Sequence, residues 1–347
     1  MSLRQREDHW NEIEHSTFDV IVIGAGINGA RLYHHLCQAG YQVLLIDERD
    51  FSAGTSQASA LLIWGGLLYL RNLDIEAVWR LCEARDTLIR ERPESVRACG
   101  FRLVPQKRRG QMALLQAALY FYWLLGSCRR KRPCQEPAFP ERELLKAPAA
   151  GYCLNYEEGV VESSDARLVG QWIFAHRSEG EVPLNYCRLE GGEYDCSAKA
   201  WRLDLTDTLQ GGQRRTRARV VVNAAGVWTD SINERFRRES PYRHVFSKGV
   251  FLGLPRDPRH QLPLMVRSES QSDYLCLVPW GPISLWGPTE TVIADPAQGF
   301  QIQPDDIRIL LNEFHAHFAP RVTPAEIVSL RCGVRPLAVP RKYDCHG

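Results

Sequence analysis

The clearest pattern along the chain is the apolar run of "FDVIVIG", closed by glycines and followed by apolar residues at helical spacing through about Ala39. A short run with no polar face predicts a strand buried in a parallel sheet. Gly40 predicts the helix stop, and "YQVLLID" predicts a second strand. Strand, helix and strand fit the length of a βαβ unit. "RARVVVNAAGVWTDSI" (217–232) is another buried strand, ending in small residues at a helix start. Farther on, "VFSKGVFLGLP", "YLCLVPW" and "ISLWGP" alternate as antiparallel strands do. "QPDDIRILLNEFHAHF" (303–318) has acids in its first turn and near-helical apolar spacing, which predicts a surface helix. His315 and His317 there read as solvated helix residues, not metal ligands. The pattern predicts an α/β fold: a Rossmann-like domain with a parallel sheet, and a second α+β domain with an antiparallel sheet.

The longest apolar stretch is "MALLQAALYFYWLL" (112–125). As a helix it rises about 21 Å, short of the roughly 30 Å hydrocarbon core of a bilayer. Basic clusters flank it at 107–109 and 129–132, and it carries Tyr120, Tyr122 and Trp123. Two readings stay open: a helix lying on an anionic membrane surface through 107–132, or a buried helix with solvated basic ends.

Composition narrows the classes. The 347 residues fit two domains, and 44% apolar content can bury a large core. A net charge of +2 gives no field that draws nucleic acid. The eleven cysteines show no CxxC pair or histidine-linked spacing, so they read as reduced thiols with no metal site. The charged start, "MSLRQREDHWNEIEHS", reads as neither signal peptide nor anchor. The expected location is cytoplasmic, with peripheral contact on the inner face of the membrane.

The glycines carry the chemistry. Gly24 allows a tight turn, Gly26 lets backbone approach a pyrophosphate, and Gly29 lets helix pack on strand. The helix start at Asn28 supplies free N–H groups and a positive dipole end. Asp47 lies 18 residues past Gly29 (47 − 29), near the spacing of a ribose-binding carboxylate. This is a dinucleotide site, and the motif alone leaves NAD and FAD open. "FSAGTSQASALLIWGGLLYL" (51–70) shifts the choice to FAD. Thr55 and Ser56 can donate to phosphate, and a second turn at Gly65 and Gly66 lets backbone approach a flat ring. Ala225 and Gly226, at the end of a strand, allow the same close packing.

These segments, with "SSDARLVGQWIFAHRSEGEV" (163–182), "SKGVFLGLP" (247–255), "YLCLVPWGPISLWGPTE" (274–290) and "CGVRPLAVP" (332–340), resemble the FAD-dependent glycerol-3-phosphate dehydrogenases in order and spacing. The resemblance runs from about residue 17 to 340. It implies FAD, a glutathione-reductase-like or D-amino-acid-oxidase-like fold, oxidation of a secondary alcohol by hydride transfer to flavin, and quinone as acceptor. It implies that Arg335 faces flavin and substrate, that Tyr69 and Lys248 are site residues, and that Val182 lies beside the adenine. The implied FAD domain is discontinuous, at 17–75, 155–235 and 328–347. The substrate domain is 76–154 and 236–327, and 1–16 form an N-terminal arm.

The family usually reads S-K-L-I-H-G-G-L-R-Y-L where this chain reads "ALLIWGGLLYL". Lysine becomes Leu61, histidine becomes Trp64, and an arginine that helps hold the substrate phosphate becomes Leu68. A family histidine, a candidate proton acceptor, becomes Phe251, and G-T-T-D becomes "GPTE" (287–290). In the family a further strand, a G-G-K-x-T helix and a helical domain follow the "RPL" segment; here the sequence reaches "RKYDCHG". Three readings follow. The first is a glycerol-3-phosphate dehydrogenase. The second is an oxidoreductase of the same fold acting on an amine, amino acid or unphosphorylated alcohol. The third is an impaired flavin-binding or interaction protein.

Overall fold

The computed structural model describes residues 3–105, 109–146, 152–175, 180–270 and 273–341. In chain order the strands are β1 (Thr17–Ile23), β2 (Val43–Ile46), β3 (Leu62–Ile63), β4 (Val96–Leu103), β5 (Cys134–Glu136), β6 (Cys153–Val161), β7 (Glu181–Leu184), β8 (Cys187–Asp195), β9 (Ala200–Asp207), β10 (Gln213–Asn223), β11 (Tyr242–Pro255), β12 (Leu264–Arg267), β13 (Tyr274–Trp280), β14 (Ile283–Gly287), β15 (Thr291–Ile293) and β16 (Ser329–Pro340). The helices are α1 (Leu3–His15), α2 (Ile27–Gln38), α3 (Ile75–Glu91), α4 (Arg109–Leu125), α5 (Asp165–Ile173), α6 (Thr229–Arg235), α7 (Pro296–Gly299) and α8 (Pro304–His317).

The first sheet has the order β7-β2-β1-β10-β9-β8. Its first four strands are parallel, and β8, β9 and β10 form an antiparallel meander. The apolar run of β1 explains why: it is covered on both faces. Val20 and Val22 pack with Ala30, Tyr33 and Cys37 of α2, whereas Ile21 and Ile23 pack with Trp10 and Ile13 of α1. Residues 1–16 are therefore no loose arm over their described part. The i, i+3 pair Trp10 and Ile13 docks α1 on the sheet. Arg6 locks it by donating to both oxygens of buried Asp207, at 2.6 and 2.8 Å.

The second sheet has ten strands, with the path β15-β11-β14-β13-β12-β4-β6-β3 and with β16 on β11 and β5 on β6. The expected antiparallel strands are β11, β13 and β14. β16 pairs with β11 from Tyr242↔Pro340 to Gly253↔Ser329. Thus β16 and β6, which lie within the segments expected for the nucleotide domain, hydrogen-bond into the second sheet, while Pro336 of β16 still borders the cavity at the end of the first sheet. Residues 342–347 lie outside the described ones.

α4 buries one face and exposes the other. Leu119 and Tyr122 are buried, while Leu114 (71% exposed), Phe121 and Leu124 form an apolar stripe on the outer face. Among the described residues no helix is long and apolar enough to cross a membrane. The basic cluster that follows α4 is largely paired: Arg129 with Glu83, Arg130 with Asp86, Lys131 with Glu157, and Arg132 over the Tyr120 ring. Residues 107 and 108 of the preceding cluster lie outside the described ones.

Candidate functional site

The first cavity, of about 580 Å³, opens where β1, β2 and β10 end and α2 begins. Eight of the expected nucleotide residues line it: Gly24, Gly26, Asn28, Asp47, Thr55, Ser56, Ala225 and Gly226. The glycines are required by space. At Gly24 (φ +97°) a Cβ would lie 2.6 Å from the Ala224 carbonyl oxygen. At Gly29 it would lie 1.8 Å from the Gly24 oxygen, so only glycine lets helix and turn meet. The first N–H groups of α2 have no partners within their helix. That of Ile27 donates to Ser56 Oγ at 2.8 Å, which leaves the Ser56 hydroxyl proton free for an incoming anion.

Two other assignments change in detail. Thr55 lines the cavity, but its hydroxyl donates to the Val334 carbonyl at 2.6 Å, so it is a tie to β16 and not a phosphate donor. Asp47 accepts from the N–H groups of Ala25 (2.8 Å) and Arg49 (3.0 Å), bracing the glycine turn while it faces the cavity. Burial raises its carboxyl above the ordinary range, and those two backbone bonds oppose the rise.

Val182 is buried in the core beside Leu44 and does not line the cavity, whereas Cys187 and Leu189 do. The sequence reading also missed an aromatic wall. Phe300 stacks on Trp228 with ring centres 5.7 Å apart, and the Arg49 guanidinium lies 4.5 Å from the same indole. The tryptophan stood in the quoted "VVNAAGVWTD"; nothing local in the sequence pairs it with Phe300.

The second cavity, of about 350 Å³, lies across β16. Side chains alternate along a strand. Arg335 therefore faces the second cavity while Pro336 faces the first. The chain from 54 to 64 makes the same passage: Gly54, Thr55 and Ser56 line the first cavity, and Ala60, Leu62 and Trp64 the second. A glycine cradle, open helix N–H groups, a free hydroxyl and this passage to a second chamber fit an elongated dinucleotide such as FAD.

Arg335 is half-buried and donates to Ser247 Oγ at 3.4 Å. Ser247 in turn donates to Glu290 at 3.5 Å. Among the described residues Arg335 makes no ion pair with a carboxylate. Asp273, Tyr274, Met265 and Leu68 complete the walls used below. Tyr274, absent from the expected site residues, stood in the quoted strand.

Other expected site residues lie elsewhere. Lys248 is buried and forms an ion pair with Asp306 at 2.6 Å. Asp306 also closes the cap of α8 through the Gln303 N–H at 2.8 Å. Side chains alternate along β11, so Ser247 points toward Arg335 and Glu290 and Lys248 points the other way, toward Asp306. That pair ties β11 to α8. Tyr69 is 50% exposed and lines neither cavity; its neighbour Leu68 does. Gly65 and Gly66 do not face the cavities either. A Cβ at Gly65 would strike Tyr122, Cys82 and Arg85, and Gly66 holds φ +84° at the start of a short 3-10 helix. At Gly65 the reason is a buried network; at Gly66 a Cβ would meet Leu81 and Tyr69. Glu158 accepts from Arg85 at 2.7 Å, from Tyr122 at 2.6 Å and from the Gly65 N–H at 3.1 Å. Of the departures from the family pattern, Trp64 and Leu68 line the second cavity; Leu61 and Phe251 are core residues.

Residues 19–344 match the DAO family, described as FAD dependent oxidoreductase. The chain belongs to this family. FAD is thus its cofactor, and the shape and lining of the first cavity fit it. The aerobic glycerol-3-phosphate dehydrogenase of Escherichia coli (strain K12) is 28% identical over 326 residues, 92% of this chain and 63% of that protein. The glycerol-3-phosphate dehydrogenase of Bacillus halodurans, solved with FAD, superposes with a TM-score of 0.76 at 23% identity, over 96% of this chain and 60% of that one. Glycine oxidase from Geobacillus kaustophilus superposes with a TM-score of 0.61 at 18% identity, over 92% and 83% of the two chains. The chain thus spans about three-fifths of the length of the glycerol-3-phosphate dehydrogenases it matches.

Proposed function

We propose that this oxidoreductase takes a hydride from a carbon bearing a hydroxyl or amino group, in a substrate less anionic than glycerol-3-phosphate. The carrying observation is the charge of the second cavity. Arg335 is its one cation among the described residues; Glu290 and Asp273 are carboxylates, and most of the remaining wall is apolar or small. A phosphate ester brings up to two further negative charges into this chamber. A missing phosphate-binding cation in a desolvated site costs about 2–5 kcal/mol.

The chemistry that FAD supplies when bound is acceptance of the hydride. Arg335 orients the substrate oxygen and stabilises negative charge that develops there. Asp273 is drawn toward Arg71 at 3.9 Å, which leaves Glu290 to take the proton. The C–H pair leaves as hydride, the O–H or N–H proton passes to Glu290, and a C=O or C=N bond forms. Trp64 and Leu68 exclude water from the chamber.

A second reading is glycerol-3-phosphate itself, with electrons passed to quinone at a membrane surface. The names of the relatives favour that substrate, and the outer stripe of α4 supplies an apolar face for such a surface. Anaerobic titration of the bound flavin separates the two. Bleaching by an unphosphorylated diol or primary amine, with glycerol-3-phosphate far weaker, supports the first reading. Preferential bleaching by glycerol-3-phosphate supports the second. A bound flavin that no compound reduces would leave a binding protein.

A further inference from the structure

A third cavity, of about 360 Å³, lies between α4 and the 3-10 helix Leu67–Asn72. It shares Leu68, Met265 and Tyr274 with the substrate chamber, so the two spaces adjoin across these side chains. Its far wall is Leu114, Leu115 and Leu119 of α4. Leu114 also begins the outer apolar stripe that continues through Phe121 and Leu124. An apolar groove therefore runs from the protein surface to the side chains that bound the chamber of Arg335. It meets that chamber at Leu68, Met265 and Tyr274.

We propose that the substrate is an amphiphile: its hydroxyl- or amino-bearing head sits at Arg335 and Glu290, and a hydrocarbon tail occupies the groove under α4. This deepens the proposed reaction and rests on it. Apolar burial is non-directional and scales with the length buried. Each methylene buried contributes about 0.8 kcal/mol, a roughly fourfold gain. Arg71 and Arg267 line the same groove, but Arg71 already faces Asp273 and lies over the Tyr274 ring. Leucines make up half of the groove's lining, and they select the tail.

The test uses the FAD-loaded protein and one head group, vicinal diols of propane, hexane and decane, with matching primary amines. Anaerobic flavin bleaching gives kcat/KM for each. The expected result is a rise of about threefold to fourfold per methylene until the groove is full. Ala118→Trp, which places bulk in the groove, should flatten that slope. Binding is read separately by displacement of dansyl-labelled undecanoic acid. Decanediol should displace it at least a hundredfold more tightly than propanediol. Short diols that bleach the flavin with no gain from length would overturn the tail but leave the proposed reaction standing. No bleaching by any diol or amine, with length-dependent displacement intact, would overturn the reaction and keep the groove as an alkyl site. Displacement by an isoprenoid quinone analogue but not by decanediol would assign the groove to the electron acceptor and overturn the proposal.

Discussion

The two cavities on either side of β16 are built on different principles. The nucleotide cavity depends on backbone: positive φ at Gly24, no room for a Cβ at Gly29, and amide hydrogens at the start of α2. The substrate chamber depends on which side chain faces inward: Arg335 and not Pro336, Leu68 and not Tyr69. A backbone-built site tolerates change in its surroundings and keeps one ligand. A side-chain-built site can change substrate through a few positions, and Trp64 and Leu68 are two such positions here.

The largest expected effect tests whether Lys248 belongs to the framework. Lys248→Met strands Asp306 in the interior, and breaking a buried pair costs about 3–5 kcal/mol of stability. Denaturant unfolding should show that loss, while the rate of flavin reduction per folded molecule stays near wild type. A variant of normal stability but no turnover would return Lys248 to the site. Arg335→Leu should do the reverse. Its kcat/KM should fall about a hundredfold, near 3 kcal/mol, with little change in unfolding midpoint. Steady-state kinetics beside thermal melts would show it, and a loss under threefold would remove Arg335 from the chemistry.

A third contrast uses acid. His260 is buried in the second sheet's region, its ring nitrogens 2.7 Å from Ser284 Oγ and 3.2 Å from the Leu277 carbonyl. Burial pushes its imidazole down from 6.5 to about 4. The unfolded chain therefore binds a proton that the fold refuses between those values. The stability present above pH 6.5 is lost as pH falls toward 4, by about 3 kcal/mol in all. His260→Gln should reduce the slope of stability against pH in that window; an unchanged slope would show that other groups set it. The smallest effect is at the nucleotide end. Ser56→Ala removes one hydroxyl and should weaken FAD binding by about 1 kcal/mol, roughly fivefold, measured by equilibrium dialysis. No change would mean that the hydroxyl does not meet the phosphates.

This division also explains what was legible. The glycines of the first turn and the end of β10 reveal their purpose locally, because a backbone requirement admits one residue type. The segments of the second cavity were equally visible, since "SKG", "GGLLYL" and "GVRPL" all lie near it. Their facing was not, because strand register is fixed by pairings far away in sequence, such as Ser247↔Arg335. A shift of one position exchanges a site residue for a core or surface one, as Lys248, Tyr69 and Leu61 show. The glycine pair at 65–66 misled for a different reason. At Gly65 the tightness comes from the Arg85–Glu158–Tyr122 network beneath it, which joins three separated parts of the chain.

The central proposal is that the chamber of Arg335 grips a phosphate ester weakly, because Arg335 is the one cation lining it among the described residues and Leu68 adds only hydrocarbon. Anaerobic stopped-flow reduction by glycerol-3-phosphate, in wild type and Leu68→Arg side by side, tests it most directly. The account predicts slow, unsaturated reduction of wild type and a gain in kcat/KM of at least tenfold in the variant, for about 2 kcal/mol or more of restored attraction. Saturation of the wild type at low glycerol-3-phosphate, with Leu68→Arg equal or slower, would contradict it.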